Sequence, residues 1–250
     1  MTRVRNVQAI FYSISLLLIT ILATLALNAQ PGSVRAQKES ISAAFGAICI
    51  LGIVAGISPS RCNRLFMHFQ TNVSSHIETR NTSQDKHEIS YRGHHPICGS
   101  FSSHVIRIGG RVYCAGCAGL VVGAVLALAG TALYVFTQDL SPQLVAVSFW
   151  AGLVGVTLGL LQYELFINKA SLHFFLNVVF VVGALLLLVG VNEMNGSLSL
   201  GIYFMLVILF LINTRSTLSR LEHEKKCVVC KAEDCSPKEG ESSESISSSA

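Results

Sequence analysis

The chain has 250 residues, of which 51% are hydrophobic and 13% charged, and its mean hydropathy is +0.56. Soluble globular domains carry roughly 25% charged residues, so an ordinary soluble domain is excluded and the long uncharged runs make this an integral membrane protein. The net charge of +4 is no nucleic-acid footprint, because the positions of the charges carry more information than their sum.

The first uncharged run is Asn6–Val34, with the apolar core Ala9–Leu27 flanked by Arg3 and Arg5. That core exceeds the 7–15 residues of a signal-peptide apolar region, so a retained helix is expected. The alternative is a leader cleaved after Ala29 or Ala36, leaving five spans instead of six. Ser40–Ser60 is the second run, and residues 7–60 therefore form two N-terminal spans. A polar insert follows over 61–116, and its stretch 70–90 has few large apolar residues and reads as a flexible linker.

Four further runs, about Cys117–Phe136, Leu144–Tyr163, Leu172–Val191 and Leu198–Asn213, each approach the ~20 residues that cross a hydrocarbon core. Their short connections predict an antiparallel four-helix bundle over 117–214. Gly119 with Gly123, and Gly155 with Gly159, have the small-x-x-x-small spacing that lets helix backbones approach closely in a bilayer. Glycine is also simply frequent in membrane helices. Residues 215–235 form a cysteine-rich tail, and 236–250, rich in serine and glutamate, read as disordered. The fold class is thus an all-α integral membrane protein of about six spans with a small β-hairpin insert.

With six crossings, every Lys and Arg except Arg35 and Lys38 falls on the side of the two termini. Basic residues are retained in the cytoplasm. Both termini, the insert and the tail are therefore expected to be cytoplasmic, in a cell membrane. The sequons at Asn72, Asn81 and Asn195 read as chance matches, the first two facing the cytoplasm.

The eight cysteines are unevenly spread. Cys98, His104, Cys114 and Cys117 follow the pattern C-x5-H-x9-C-x2-C, three thiols and an imidazole suited to a tetrahedral soft-metal site. His95, beside His94, is the substitute for His104. Val105–Ile108 and Arg111–Cys114 flank Gly109-Gly110, a hairpin turn signal. In that register Ile108 faces Arg111, Val105 faces Cys114 and His104 faces Ala115, bringing His104 to the C-x-x-C. Gly116 and Gly119 are expected to let the backbone curl so that N–H groups reach the sulfurs. The next helix would begin here, its positive end favouring thiolate. A reducing cytoplasm disfavours a disulfide among these cysteines. Zinc is the expected metal and iron the alternative.

A cysteine, a turn-centred hairpin, C-A-x-C-x-G-[LI] and then a membrane helix (Cys98, Cys114, Ala115, Cys117, Gly119 and Leu120) resemble a family of prokaryotic multi-pass membrane proteins. That family pairs a cysteine–histidine motif with a C-A-R-C-T-G-type motif. Gly116 stands in the arginine position and Ala118 in the threonine position, so those two side-chain roles are absent here. The resemblance implies a membrane location and a Cys/His motif, with no established activity.

The tail carries a second cluster, H-x3-C-x2-C-x4-C, formed by His223, Cys227, Cys230 and Cys235. His223 and Cys227 are one helical turn apart, and neighbouring lysines favour thiolates. This is a candidate second metal site, and exposed redox-active thiols are its alternative. Cys49 reads as a small core residue. Cys62 belongs to no spacing pattern, and Trp150 and Tyr163 read as core or interface residues. Gln162, Glu164, Lys169 and His173 collect at one end of the bundle, where ionisable groups either mark an ion path or reach into water at the interface.

Three functions compete. The favoured one is a membrane-anchored metal-binding protein, structural or partner-binding, with the lipid bilayer and either a cytosolic protein or a second copy as partners, and no nucleic acid. A filled set of three cysteines and a histidine leaves no open coordination position for a substrate. The second is a thiol or electron-transfer redox protein using the C-x-x-C. The third is an ion or small-molecule transporter. Nothing matches a P-loop, a dinucleotide fingerprint, G-x-S-x-G or H-E-x-x-H, so the balance is against an enzyme.

Overall fold

The computed structural model describes residues 2–28, 35–57, 91–92, 105–108, 111–137, 140–162, 169–195 and 197–230. Six helices, α1 (Thr2–Leu27), α2 (Arg35–Ile57), α3 (Ala115–Phe136), α4 (Pro142–Leu161), α5 (Ala170–Asn195) and α6 (Leu198–Cys230), make up nearly all of it. Each contains a stretch long and apolar enough to cross a membrane. Three short strands, β1 (Tyr91–Arg92), β2 (Val105–Ile108) and β3 (Arg111–Cys114), form one sheet in the order β1-β3-β2.

Helix α5 is the centre of the bundle, with 61% of its span buried against 22% for α1 and for α2. It packs against α3 on one side and α4 on the other, with α6 beside it; α2 leans on α3 and α1 on α6. Phe149, Phe180, Leu187, Leu188, Phe204, Ile208 and Leu211 form the core. Large apolar side chains such as Leu16, Leu51, Leu133, Trp150 and Leu206 instead point outward. That distribution suits a bundle whose surroundings are themselves apolar, and Trp150 is accordingly a surface residue.

Glycines permit the close approach of α5 to both neighbours. A methyl group on Gly119 would run into the carbonyl of Phe174, and one on Gly159 into the Phe180 side chain. Gly155 lies directly against Gly183. Both small-x-x-x-small pairs therefore face the same partner, α5.

Helix α1 runs antiparallel to α6. Near the start of α1, Tyr12 Oη donates to the Leu160 carbonyl and Ser15 Oγ to Thr214 Oγ1. The opposite end of the bundle is tied by charge. Lys38 Nζ donates to the Thr137 carbonyl at 2.6 Å, lies 3.5 Å from Glu193 Oε1 and sits 4.1 Å from the centre of the Tyr134 ring. Tyr134 Oη donates to Glu193, and Asn192 donates to Tyr134 Oη. Lys38 was expected to lie just outside the second span; helix α2 starts at Arg35 and draws it inside.

The hairpin has the expected register, Val105 opposite Cys114 and Ile108 opposite Arg111. Strand β1 was not expected. It pairs in parallel with β3, Tyr91 beside Val112 and Arg92 beside Tyr113. At the C-terminal end, α6 continues without a break through Cys230, well past the expected end near Asn213. Buried Leu218 holds that extension against the bundle.

Candidate functional site

Strand β3 passes into α3 with no connecting residue. Cys114 occupies the N-cap of α3 with extended backbone (φ −67°, ψ 122°), and Ala115 begins the helix. Cys117 then falls at the third helical position. N-cap and third position are where a capping side chain and its reciprocal partner stand, so the two thiols are held on adjoining ground by helix geometry alone. The Cys114 and Cys117 side chains are within hydrogen-bonding reach of each other, and both are thiols. Cys114 is buried and Cys117 half-buried.

Gly116 and Gly119 lie inside the regular helix, contrary to the expected curl of the backbone around the sulfurs. The reason is mechanical. Gly119 is needed for contact with α5, while a methyl group at Gly116 would find only ordinary van der Waals neighbours: Arg215 Nη2, Asn177 Nδ2 and Cys114 Sγ, all within 4 Å.

Those neighbours belong to a buried polar network that links α4, α5 and α6 beneath the thiols. Arg215 Nε donates to Asn177 Oδ1 at 2.7 Å. Gln162 Nε2 donates to the Gly159 carbonyl at 2.6 Å and to Asn177 Oδ1 at 3.2 Å. Asn177 Nδ2 in turn donates to the His173 carbonyl at 2.6 Å and to Gln162 Oε1 at 3.4 Å. His173 Nδ1 lies 3.5 Å from Gln162 Oε1. Gln162 and Asn177 are each 1% exposed, and Arg215 is 8% exposed. Buried polar groups are costly unless satisfied, and the two amides satisfy each other's carbonyl and N–H groups across the α4–α5 interface.

Of the four residues expected to gather at this end, Gln162 and His173 do meet, Lys169 is exposed, and Glu164 lies outside the described residues. Asn177 and Arg215 were not singled out from the sequence. A lone asparagine inside the apolar run Leu172–Val191, and an arginine directly after the last span, were the available signals.

The other expected ligands fall differently. Cys98, His104, its substitute His95 and Cys235 lie outside the described residues, as do Cys62 and the flexible linker expected over 70–90. His223, Cys227 and Cys230 lie on the last turns of α6. Among the described residues, no group of three or more His, Cys, Asp or Glu side chains is assembled to hold a metal. Cys49 is buried in the core as expected.

The fold and this end of the bundle define a class: an almost wholly helical chain, compatible with a multi-pass membrane protein, with a C-x-x-C fixed between a small sheet and a helix N-terminus. No family model, curated protein or solved structure matches the chain.

Proposed function

We propose that this chain is a multi-pass membrane protein holding a soft metal ion at the sheet end of its bundle, zinc in the first place and iron as the alternative. The ligands would be Cys98, His104, Cys114 and Cys117, with His95 able to replace His104. One observation carries this reading. Strands β1 and β2, which bracket residues 93–104 in the chain, flank β3 on opposite sides, and both meet it at its Cys114 end. The described residues on either side of that stretch, Arg92 and Val105, thus pair with the adjacent residues Tyr113 and Cys114. The donor set of thiolates and one imidazole fits a tetrahedral ion, and filling all four positions gives a structural or partner-binding site. His223, Cys227, Cys230 and Cys235 form the second candidate site, and the basic-residue distribution assigns both sites to the cytoplasmic face.

The test is metal analysis of the purified full-length protein. Stoichiometric zinc is expected, and Cys114→Ser or Cys117→Ser should lower it, with loss of sheet stability, since structural zinc contributes on the order of 10 kcal/mol in small modules. Unchanged metal content in both variants overturns the proposal. The reach of Cys114 to Cys117 favours one second reading, a thiol redox protein; a reversible Cys114–Cys117 disulfide in zinc-free protein as isolated would select it.

A further inference from the structure

The turn from β3 into α3 fixes the backbone on which both thiols of the C-x-x-C stand. Helix positions three apart have Cα atoms about 5 Å from each other, given a rise of about 1.5 Å per residue and a radius of about 2.3 Å. A disulfide requires a Cα separation of about 4.4–6.8 Å. Cys114 at the N-cap and Cys117 at the third helical position therefore meet that requirement without movement of the backbone. Both are thiols, and their side chains already reach each other.

The two sulfurs differ in access. Cys114 is 3% exposed. It ends β3 with Val105 of β2 opposite. On the bundle side its Sγ, Arg215 Nη2 and Asn177 Nδ2 all come within 4 Å of one point above Gly116. Cys117 lies in the first turn of α3 and is only partly covered. Thiol–disulfide exchange is a direct displacement at sulfur, so the thiol that meets a second molecule must be open to it. A thiol that attacks within its own chain need only reach its neighbour. Burial thus separates the two by the step each can perform.

We infer that Cys117 is the thiol that exchanges with an incoming disulfide and that Cys114 is the thiol that resolves the mixed disulfide. The inference rests on the thiol redox reading, the second of the two above, and adds the order of events and the substrate class, an accessible disulfide. In the first step the Cys117 sulfur attacks one sulfur of the partner disulfide. The partner's S–S bond breaks, a Cys117–partner bond forms, and the departing thiolate takes up the proton that Cys117 gave. The Cys114 sulfur then attacks Cys117 Sγ, closing the internal disulfide and releasing the second partner thiolate, which takes up the Cys114 proton. Two thiols are oxidised to one disulfide, and the partner disulfide is reduced to two thiols by two electrons and two protons.

The experiment treats reduced full-length protein in lipid nanodiscs, with a chelator present, with glutathione disulfide, and locates the products by peptide mass spectrometry. Wild-type protein should form the Cys114–Cys117 disulfide. Cys114→Ser should stop at a stable glutathione adduct on Cys117. Cys117→Ser should carry no adduct on Cys114 within the time that completes the Cys114→Ser reaction. If either variant does not fold, limited alkylation of the wild-type protein with iodoacetamide replaces it, and Cys117 should be modified before Cys114. An adduct on Cys114 that forms as fast as the one on Cys117, or alkylation of Cys114 first, overturns the assignment while leaving the redox reading standing. A wild-type disulfide from Cys117 to any cysteine other than Cys114 overturns the resolving role in the same way. Wild-type protein in which Cys117 forms no internal disulfide overturns the redox reading and this order together.

Discussion

Lys38 holds its place through groups from two other helices and the residue that follows one of them. Its ammonium is answered by the Thr137 carbonyl, the face of Tyr134 and the Glu193 carboxylate, with Asn192 bracing Tyr134 from behind. Breaking such a pair from one side leaves the other charge buried, at a cost of about 3–5 kcal/mol. Lys38→Met should therefore lower the thermal unfolding temperature in detergent sharply. The double variant Lys38→Met/Glu193→Gln should recover much of that loss. A double variant no more stable than Lys38→Met would mean that the pair does not act as a unit. At this scale the sequence was uneven. Cys114 and Cys117 were legible because four adjacent residues define their relation, and the hairpin register followed from Gly109-Gly110. Lys38, Asn177 and Arg215 were not, because each is made intelligible by partners tens of residues away. Hydropathy registers the cost of a polar side chain in an apolar run but not the group that offsets it.

Between elements, α5 owes its central position to missing side chains on its neighbours. Gly119→Ala pushes a methyl group against the Phe174 carbonyl; backbone cannot step aside as a flexible side chain can, so α3 must move off α5. A loss of about 1–3 kcal/mol is expected. Gly52→Ala is the matched control, because nothing stands within 4 Å of the added methyl, and it should leave stability unchanged or raise it by up to about 1 kcal/mol through helix propensity. Thermal unfolding of the two variants side by side decides the matter, and equal effects would remove the packing role of Gly119. The spacing of the glycine pairs was legible, but the identity of their partner was not, since periodicity shows which face is bare and not what covers it. One element escaped the sequence for a physical reason, and another was legible only in part. Strand β1 is only Tyr91–Arg92, too short to alternate visibly, and its pairing with β3 is long-range and parallel. The extension of α6 crosses polar sequence from Thr214 onward, where the helical spacing of Leu218 and Leu221 was legible but not that the membrane span runs into it without a break, with Leu218 fully buried.

For the molecule as a whole, the arrangement puts the start of α1, the sheet and the far part of α6 at one end of the bundle. The excess of Lys and Arg on that side predicts that it faces the cytoplasm. Reporters fused after Ala250 and inserted near Asn81 should both register inside. An external signal from the Asn81 insertion would reverse the orientation and remove the reducing environment on which the metal assignment leans. The unbroken α6 has a further consequence for how the two cysteine clusters relate. At about 1.5 Å per residue, its 33 residues make a rod of about 50 Å, against a hydrocarbon layer of about 30 Å. Arg215 marks the height of the first cluster on that rod, and Cys227 stands about 18 Å farther along it. The outer part is thus a lever arm fixed to the inner site. A partner that grips the rod near Cys230 and tilts it applies torque where Arg215 is bonded to Asn177, and a rotation of α6 about its own axis turns both heights through the same angle.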